Sequence, residues 1–380
     1  MAPIFDVSAV IHDYKLPLPF RIALECLLAD NIERYHRRAR ITSKSLSAKT
    51  KEVRARAICR SFLELHMNGQ PLRYPQNINK SDVQILVNLW VRLGHSGGTI
   101  ENKLTHLRAF GEWIGTPELV GTLSDYIDRE SHGLVRSHLA SRDKSWDGSG
   151  VNAMLLIEQV ARTDPNVAVQ LKLQMAFGLK VGESFMLKPA QALRDKAFVN
   201  VMRGTIGGHA RSVPIELQYA VLTEAARLSN KSTGTTMRQG LTTSQWRNVY
   251  YAVLNKHGIV NRMLGITSLG LRHQYLQDVY ERSTSMAAPV KGTSERAERD
   301  SHRAAMRRVV QAAGLSREIK ASRYLLIDRV RVAMPEVTAE QAQAALANAL
   351  GIKSHAAKSL GISRQTLYRR LENGSQAVSK

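Results

Sequence analysis

Apolar positions recur along the chain in two rhythms, and the switch between them outlines the architecture. From Lys51 to Leu65 the run VRARAICRSFLEL sets Ala57, Ile58, Phe62 and Leu65 on one stripe with arginines opposite, the 3.6-residue period of an amphipathic helix. A second helix is predicted over VQILVNLWVRL, with Ser81 as cap, Asp82 as first-turn acid and Gly94 as stop. A third runs from the cap Thr99 through IENKLTHLRAFGEWIG, with Ile100, Leu104, Leu107 and Trp113 on the core face. Lys103, His106 and Arg108 then face outward, either as a solvated surface or as contacts to a polyanion. The polar run LVRSHLASRDKSWDGSG reads as an interdomain linker. Beyond it two helices are predicted, broken at Asp164-Pro165, with Pro189 closing the second. AFVNVMRGTIGGHARSVPIEL changes to period two around Gly207-Gly208, a hairpin signal, and helical patterning resumes from about Gln218 to the end. The predicted fold is mainly α with one small β-sheet.

Residues 1–50 carry no sustained apolar period and end in the basic run HRRARITSKSLSAKTK, so they are predicted to be a basic arm with some local helix. Charge sharpens the picture. Lys and Arg number 54 against 32 Asp and Glu, a formal net charge of +22, while 43% of residues are apolar. Such a chain folds, and its positive field concentrates polyanions; nucleic acid is the expected partner. The two cysteines, Cys26 and Cys59, cannot make a disulfide framework, and no His/Cys cluster has zinc-ligand spacing. The first twenty residues lack the pattern of a secretory signal, and no apolar stretch approaches a membrane span. No Gly-rich phosphate cradle is present. The expectation is a reduced, cytoplasmic, nucleoid-associated protein of bacterial type that uses no nucleotide, cofactor or metal.

The order of AFGLKVGESFML, the hairpin RGTIGGHARSVPI, GLRHQYLQDVYE and GLSREIKASRYLL resembles the tyrosine recombinases, or phage-integrase family, over roughly residues 50–330. RSFLELHMNGQPLRYP through HLRAFGEWIG is similar to the SAM-like helical core-binding domain of one integrase subfamily. The most specific feature is the nine residues from Leu315 to Tyr324, the family's distance from its Gly-His pair to the nucleophilic tyrosine. The resemblance implies a phosphodiester attacked by Tyr324, two arginines clamping the phosphate, a hairpin lysine protonating the leaving oxygen, and two assisting histidines. Carried onto this chain, the first arginine's place is held by Lys180, with Glu183 matching the motif's acid. Ile206 stands for the hairpin lysine, Leu269 for the first histidine and Leu315 for the second. Arg272, His273 and Tyr324 match. Of six principal catalytic places, then, only Arg272 and Tyr324 keep the family's residue type. Lys180 keeps charge but cannot fork onto two phosphate oxygens, and aliphatic side chains cannot move protons. The replacements read as a site refilled as core, in which Arg272 either pairs with Glu183 or still receives a DNA phosphate.

At the carboxyl end, after Met334-Pro335, SHAAKSLGISRQTLYRRLENG resembles a Fis-type helix-turn-helix, with small Ala356 and Ala357 for close helix approach. Ser363 would cap its recognition helix and present Arg364, Gln365, Thr366, Tyr368, Arg369 and Arg370 to the major groove and flanking phosphates. Lys103, Arg108 and Arg211 are further candidate DNA contacts. The expected organisation is a basic arm (1–50), a SAM-like core-binding domain (51–130), a linker (131–150), an α+β recombinase-like domain (151–333) and the helix-turn-helix (334–380). Two functions compete: a non-cleaving, sequence-specific regulator or architectural factor on double-stranded DNA, or an atypical recombinase cleaving through Tyr324. Either could act as a homo-oligomer on DNA. RNA binding has no aromatic platform to support it.

Overall fold

The computed structural model describes residues 5–34, 46–135, 139–140, 142–205, 210–216, 218–292, 297–326, 337–349, 351–360, 367 and 371. The chain divides into two compact units, Met1–Arg136 and Ser137–Lys380.

In the first unit the helices found within residues 5–32 of the expected arm are packed into a core. Phe20, Leu24, Leu28 and Ile32 recur every fourth residue, and Pro17 sits immediately before the first turn. They form α2 (Leu18–Asn31), preceded by the short α1 (Val7–Ile11), and their apolar stripe is buried in one core with the following helices. The basic run after residue 34 masks this period in the sequence. The next three helices are α3 (Ala48–Met67), α4 (Lys80–Arg92) and α5 (Gly97–Trp113). The caps of α4 and α5 lie slightly upstream of the predicted Ser81 and Thr99. Ser47 caps α3, Asn79 caps α4 in a reciprocal box with Asp82, and Ser96 caps α5. Phe62 joins the helices at the centre, edge-on to Phe20 at 5.1 Å and to Phe110 at 5.2 Å.

The second unit begins inside the expected linker: Ser145 and Trp146 are fully buried, so residues 142–150 are a loop docked on this unit rather than a free tether. Asp164-Pro165 separates α6 (Ala153–Thr163) from α7 (Pro165–Phe177) as predicted. Pro189 does not close a helix. The chain already turns at Gly178, makes α8 (Val181–Met186), and Pro189 opens α9 (Pro189–Asp195) from its first position. The hairpin pairs β1 (Phe198–Val201) with β2 (Arg211–Pro214) antiparallel, Val199 opposite Val213 and Val201 opposite Arg211. Helices α10 (Tyr219–Arg227), α11 (Thr243–Lys256), α12 (Leu269–Thr284), α13 (Arg299–Ala313) and α14 (Glu318–Leu325) follow.

Helix α7 joins the two larger cores of this unit. Val169, Leu173 and Phe177 face one with the hairpin, α12, α13 and α14; Val167, Ala168 and Leu171 face another with Trp146, Phe185, Trp246 and Tyr250. A helix apolar on both sides is one buried on both sides. Last come α15 (Ala339–Asn348) and α16 (Lys353–Ser359), where Ala342, Ala356, Ala357 and Leu367 share a small core. No described helix is long and apolar enough to cross a membrane.

Candidate active site

Local rules place the acid at the centre of the site. Gly178, in left-handed backbone at φ +59°, ends α7; the chain extends through Lys180, and Glu183 falls at the third position of α8, where its carboxylate accepts the Lys180 amide at 2.8 Å. On β2, Arg211 has the inward parity of Val213 and opposes buried Val201, so the strand delivers a guanidinium to the interior. Its fork closes on both Glu183 oxygens at 2.8 Å each. Close approach of hairpin and α8 depends on Gly204: its φ is +73°, and a Cβ there would lie 2.2 Å from the Gly182 carbonyl oxygen. Burial by itself would raise the Glu183 pKa, but the hydrogen bonds and charge of Arg211, with the Lys180 amide and Arg272, outweigh it and hold the carboxyl below the usual range.

Arg272, on the first turn of α12, is fully buried. Its terminal nitrogens donate to the carbonyl oxygens of Gly178 and Ala313, and its Nε to the Tyr324 hydroxyl at 3.4 Å. Glu183 is 3.8 Å from it, so the acid's main partner is Arg211 and not Arg272. Tyr324, on α14, is 7% exposed and packs on the His273 ring at a centroid distance of 4.6 Å. Lys180 sits half-buried with its ammonium 3.7 Å from Glu183; desolvation, opposed by Glu183 and reinforced by Arg272 and Arg211, lowers its pKa.

The structure thus brings Lys180, Glu183, Arg211, Arg272, His273 and Tyr324 together, and it revises several expectations. Arg211 is a buried partner of Glu183 and offers no free fork to DNA. Leu269 is 47% exposed, so that replacement is not core filling, whereas Leu315 packs, partly buried, against the cluster that contains Tyr324. Lys103 does not face outward: its ammonium reaches buried Glu64 at 3.2 Å and lies 4.5 Å from the centre of the Trp90 ring. Arg108 donates to the Gly121 carbonyl at 3.0 Å and pairs with Glu101. His106 is partly buried, its pKa lowered to about 4 by desolvation and nearby Arg54. Ile206, Arg364, Gln365, Thr366, Tyr368, Arg369 and Arg370 lie outside the described residues. Beside the cluster, between the hairpin and α12–α13, opens a cleft of about 930 Å³ lined by Arg211, Tyr275, Arg282, Arg308, Gly314 and Leu315. Neither Arg272 nor Tyr324 lines it.

His273 gives the site a pH signature. Burial, then the charge of Lys144, lowers its pKa to about 4, so it is neutral at pH 7. An unfolded histidine titrates near ~6.5. Between pH 6.5 and 4 the unfolded state therefore binds a proton the folded state refuses, and stability falls as pH falls through that window. Denaturant unfolding of the full chain at steps from pH 7 to 4 is expected to show this slope, flattened in His273→Phe; an unchanged slope in the variant would remove His273 as its source.

Residues 141–278 match the family described as Integrase, and residues 334–373 that described as Bacterial regulatory protein, Fis family. A search of the curated proteins finds no match. Among solved structures, a lambda integrase dimer bound to a COC′ core site is similar at a TM-score of 0.50 and 15% identity, over 83% of this chain and 79% of that one. The Tn1549 transposon integrase in complex with transposon right end DNA is similar at a TM-score of 0.47 and 12% identity, over 79% of this chain and 93% of that one. Residues 141–278 are thus similar to the integrases, and residues 334–373 to the Fis family of bacterial regulatory proteins.

Proposed function

We propose that this chain binds double-stranded DNA in a sequence-directed way without cleaving it, as a regulator or architectural factor on an integrase scaffold in the bacterial cytoplasm. One observation carries the reading: Arg272, the single family arginine retained, has no exposed surface and its guanidinium is engaged by Gly178, Ala313 and Tyr324, so in this state its fork is not offered to a phosphate in front of Tyr324. The net charge of +22 supports DNA as partner, and so does the helix-turn-helix, whose recognition residues Arg364, Gln365 and Arg369 are the proposed base readers. The named structural neighbours are DNA complexes of integrases. An atypical recombinase remains the second reading, favoured by the retained contact between Arg272 and the Tyr324 hydroxyl.

The test is binding first and chemistry second, with the bound sequence selected from a random duplex library. If six to ten phosphates are neutralised, affinity is expected to fall by ~10³–10⁵ between 50 and 200 mM salt. Deleting residues 336–380 is expected to collapse the ratio of specific to non-specific affinity while leaving non-specific binding largely intact. A flat salt response would dismiss the DNA reading, and an unchanged ratio would move sequence recognition elsewhere in the chain. A covalent protein–DNA adduct on a nicked duplex of the selected site would dismiss the non-cleaving half.

A further inference from the structure

The stretch that leads into the second unit is bonded on all sides. The Ala140 amide donates to the carbonyl oxygen of Leu326, two residues after Tyr324 and just past the end of α14, at 2.7 Å. Gln277, fully buried on α12 one turn beyond His273, donates from Nε2 to Asp143 Oδ1 at 2.7 Å, and the same nitrogen lies 3.5 Å from the Tyr324 carbonyl oxygen. Asp143 is itself fixed by the Ser145 amide and hydroxyl, both at 2.9 Å. Trp146 is buried with its indole N–H on the Thr267 carbonyl at 2.8 Å, and Gln274 reaches Asp147 at 2.7 Å. Gly270 runs so close that a Cβ would lie 2.5 Å from the Lys144 carbonyl oxygen. One short stretch therefore grips both the helix that carries Arg272 and His273 and the end of the helix that carries Tyr324.

The grip has a built-in cost. Gln274 Oε1 and Gln277 Oε1, both against this stretch, are buried with no hydrogen-bond partner among the described residues. A buried orphan acceptor is destabilising, and release would return both oxygens to water. The contact is specific yet poised to open.

We propose that Ala140 and residues 143–147 form a strap that couples the interdomain linker to the docking of the Tyr324 helix: while the strap is seated, α14 stays closed over Arg272, and displacement of the linker loosens α14 and uncovers both side chains. That DNA is what displaces the linker rests on the reading under Proposed function; the mechanical coupling does not.

Hydrogen exchange of the full chain tests it in two arms. Without DNA, Asp143→Ala and Gln277→Ala each remove the same hydrogen bond and are expected to speed exchange of amides 322–326 by roughly three- to tenfold, with α3–α5 unchanged. The double variant should be no faster than either single one. Arg142→Ala, whose bonds go to Asn261 and Gly265, should leave these amides as they are. Unaltered protection at 322–326 in a folded Asp143→Ala protein, or uniformly faster exchange over the whole second unit, overturns the strap. With a duplex at saturation, established independently by fluorescence anisotropy, amides 322–326 of the unmodified chain should exchange faster, and less additionally so in Asp143→Ala. Saturation without that change overturns the coupling to DNA. Absence of any anisotropy change dismisses DNA binding instead, and the DNA-free arm still decides the strap.

Discussion

Glu183→Ala is expected to cost the second unit about 3–5 kcal/mol, because it removes one partner of a buried ion pair and leaves the other without compensation. The neighbourhood makes this site more sensitive than an ordinary pair. Glu183 is 1% exposed and, among the described residues, is the acid paired with Lys180, Arg211 and Arg272; without it three cations face each other in a medium that screens poorly. The Lys180 amide also loses its acceptor at the start of α8. For a unit of this size the loss corresponds to a drop in unfolding temperature on the order of 10 °C. Arg211→Ala should do comparable damage, since it strands the carboxylate, whereas Arg282→Ala, which breaks an exposed pair with Glu216, should cost under about 1 kcal/mol. Thermal unfolding of the three variants followed by tryptophan fluorescence checks the ranking. If Glu183→Ala unfolds within a degree or two of the parent, the pair does not hold hairpin and α8 together. The pH dependence has a definite sign: with the folded pKa depressed, the contribution of Glu183 is complete above its unfolded pKa of about 4.3 and is lost as pH falls through the folded value.

On a nicked suicide duplex carrying the selected site, no 3′-phosphotyrosyl adduct is expected, and this is the largest effect of all. Loss of a general acid or base typically removes ~10²–10⁴ in rate and loss of one charge-stabilising donor ~10²–10³. The resemblance to tyrosine recombinases would put Ile206, Leu269 and Leu315 at three proton-handling places, and Lys180 where that family has the fork of an arginine. Such losses do not add, but a deficit of ~10⁴ or more follows even with strong coupling between them. The geometry deepens the deficit, since Tyr324 is nearly buried beneath an arginine that has no exposed surface. Tyr324→Phe should therefore leave DNA affinity within about twofold of the parent. A stable adduct that disappears in Tyr324→Phe would instead establish the recombinase reading and require α14 to open before chemistry.

What could be read directly from the sequence was whatever depends on neighbours a few residues away. The stripe of α3, the Asp164-Pro165 break and the period-two hairpin follow from side-chain direction along a helix or strand, and each stands in the fold. The spacing between Leu315 and Tyr324 likewise fixed which tyrosine lies beside Arg272 and His273. Composition misled where charge density obscured period: Phe20, Leu24, Leu28 and Ile32 are a buried stripe next to a basic run, and Trp146 is a buried anchor within a polar one.

Partnership was decided only by the tertiary structure, because it depends on residues far apart in the chain. Nothing local says that Arg211 will close on Glu183, that Lys103 will turn inward to Glu64, or that Gln277 will hold Asp143. A cation on a helix or strand has the same sequence whether it meets a carboxylate or water. Burial beside an acid is what turns Arg211 from a DNA contact into a strut, because a desolvated charge must be paired within the fold. For the same reason the sequence by itself pointed to Arg272 and Tyr324, while only the packing of Gly178, Ala313 and α14 around them decided that the arginine is fully and the tyrosine nearly buried.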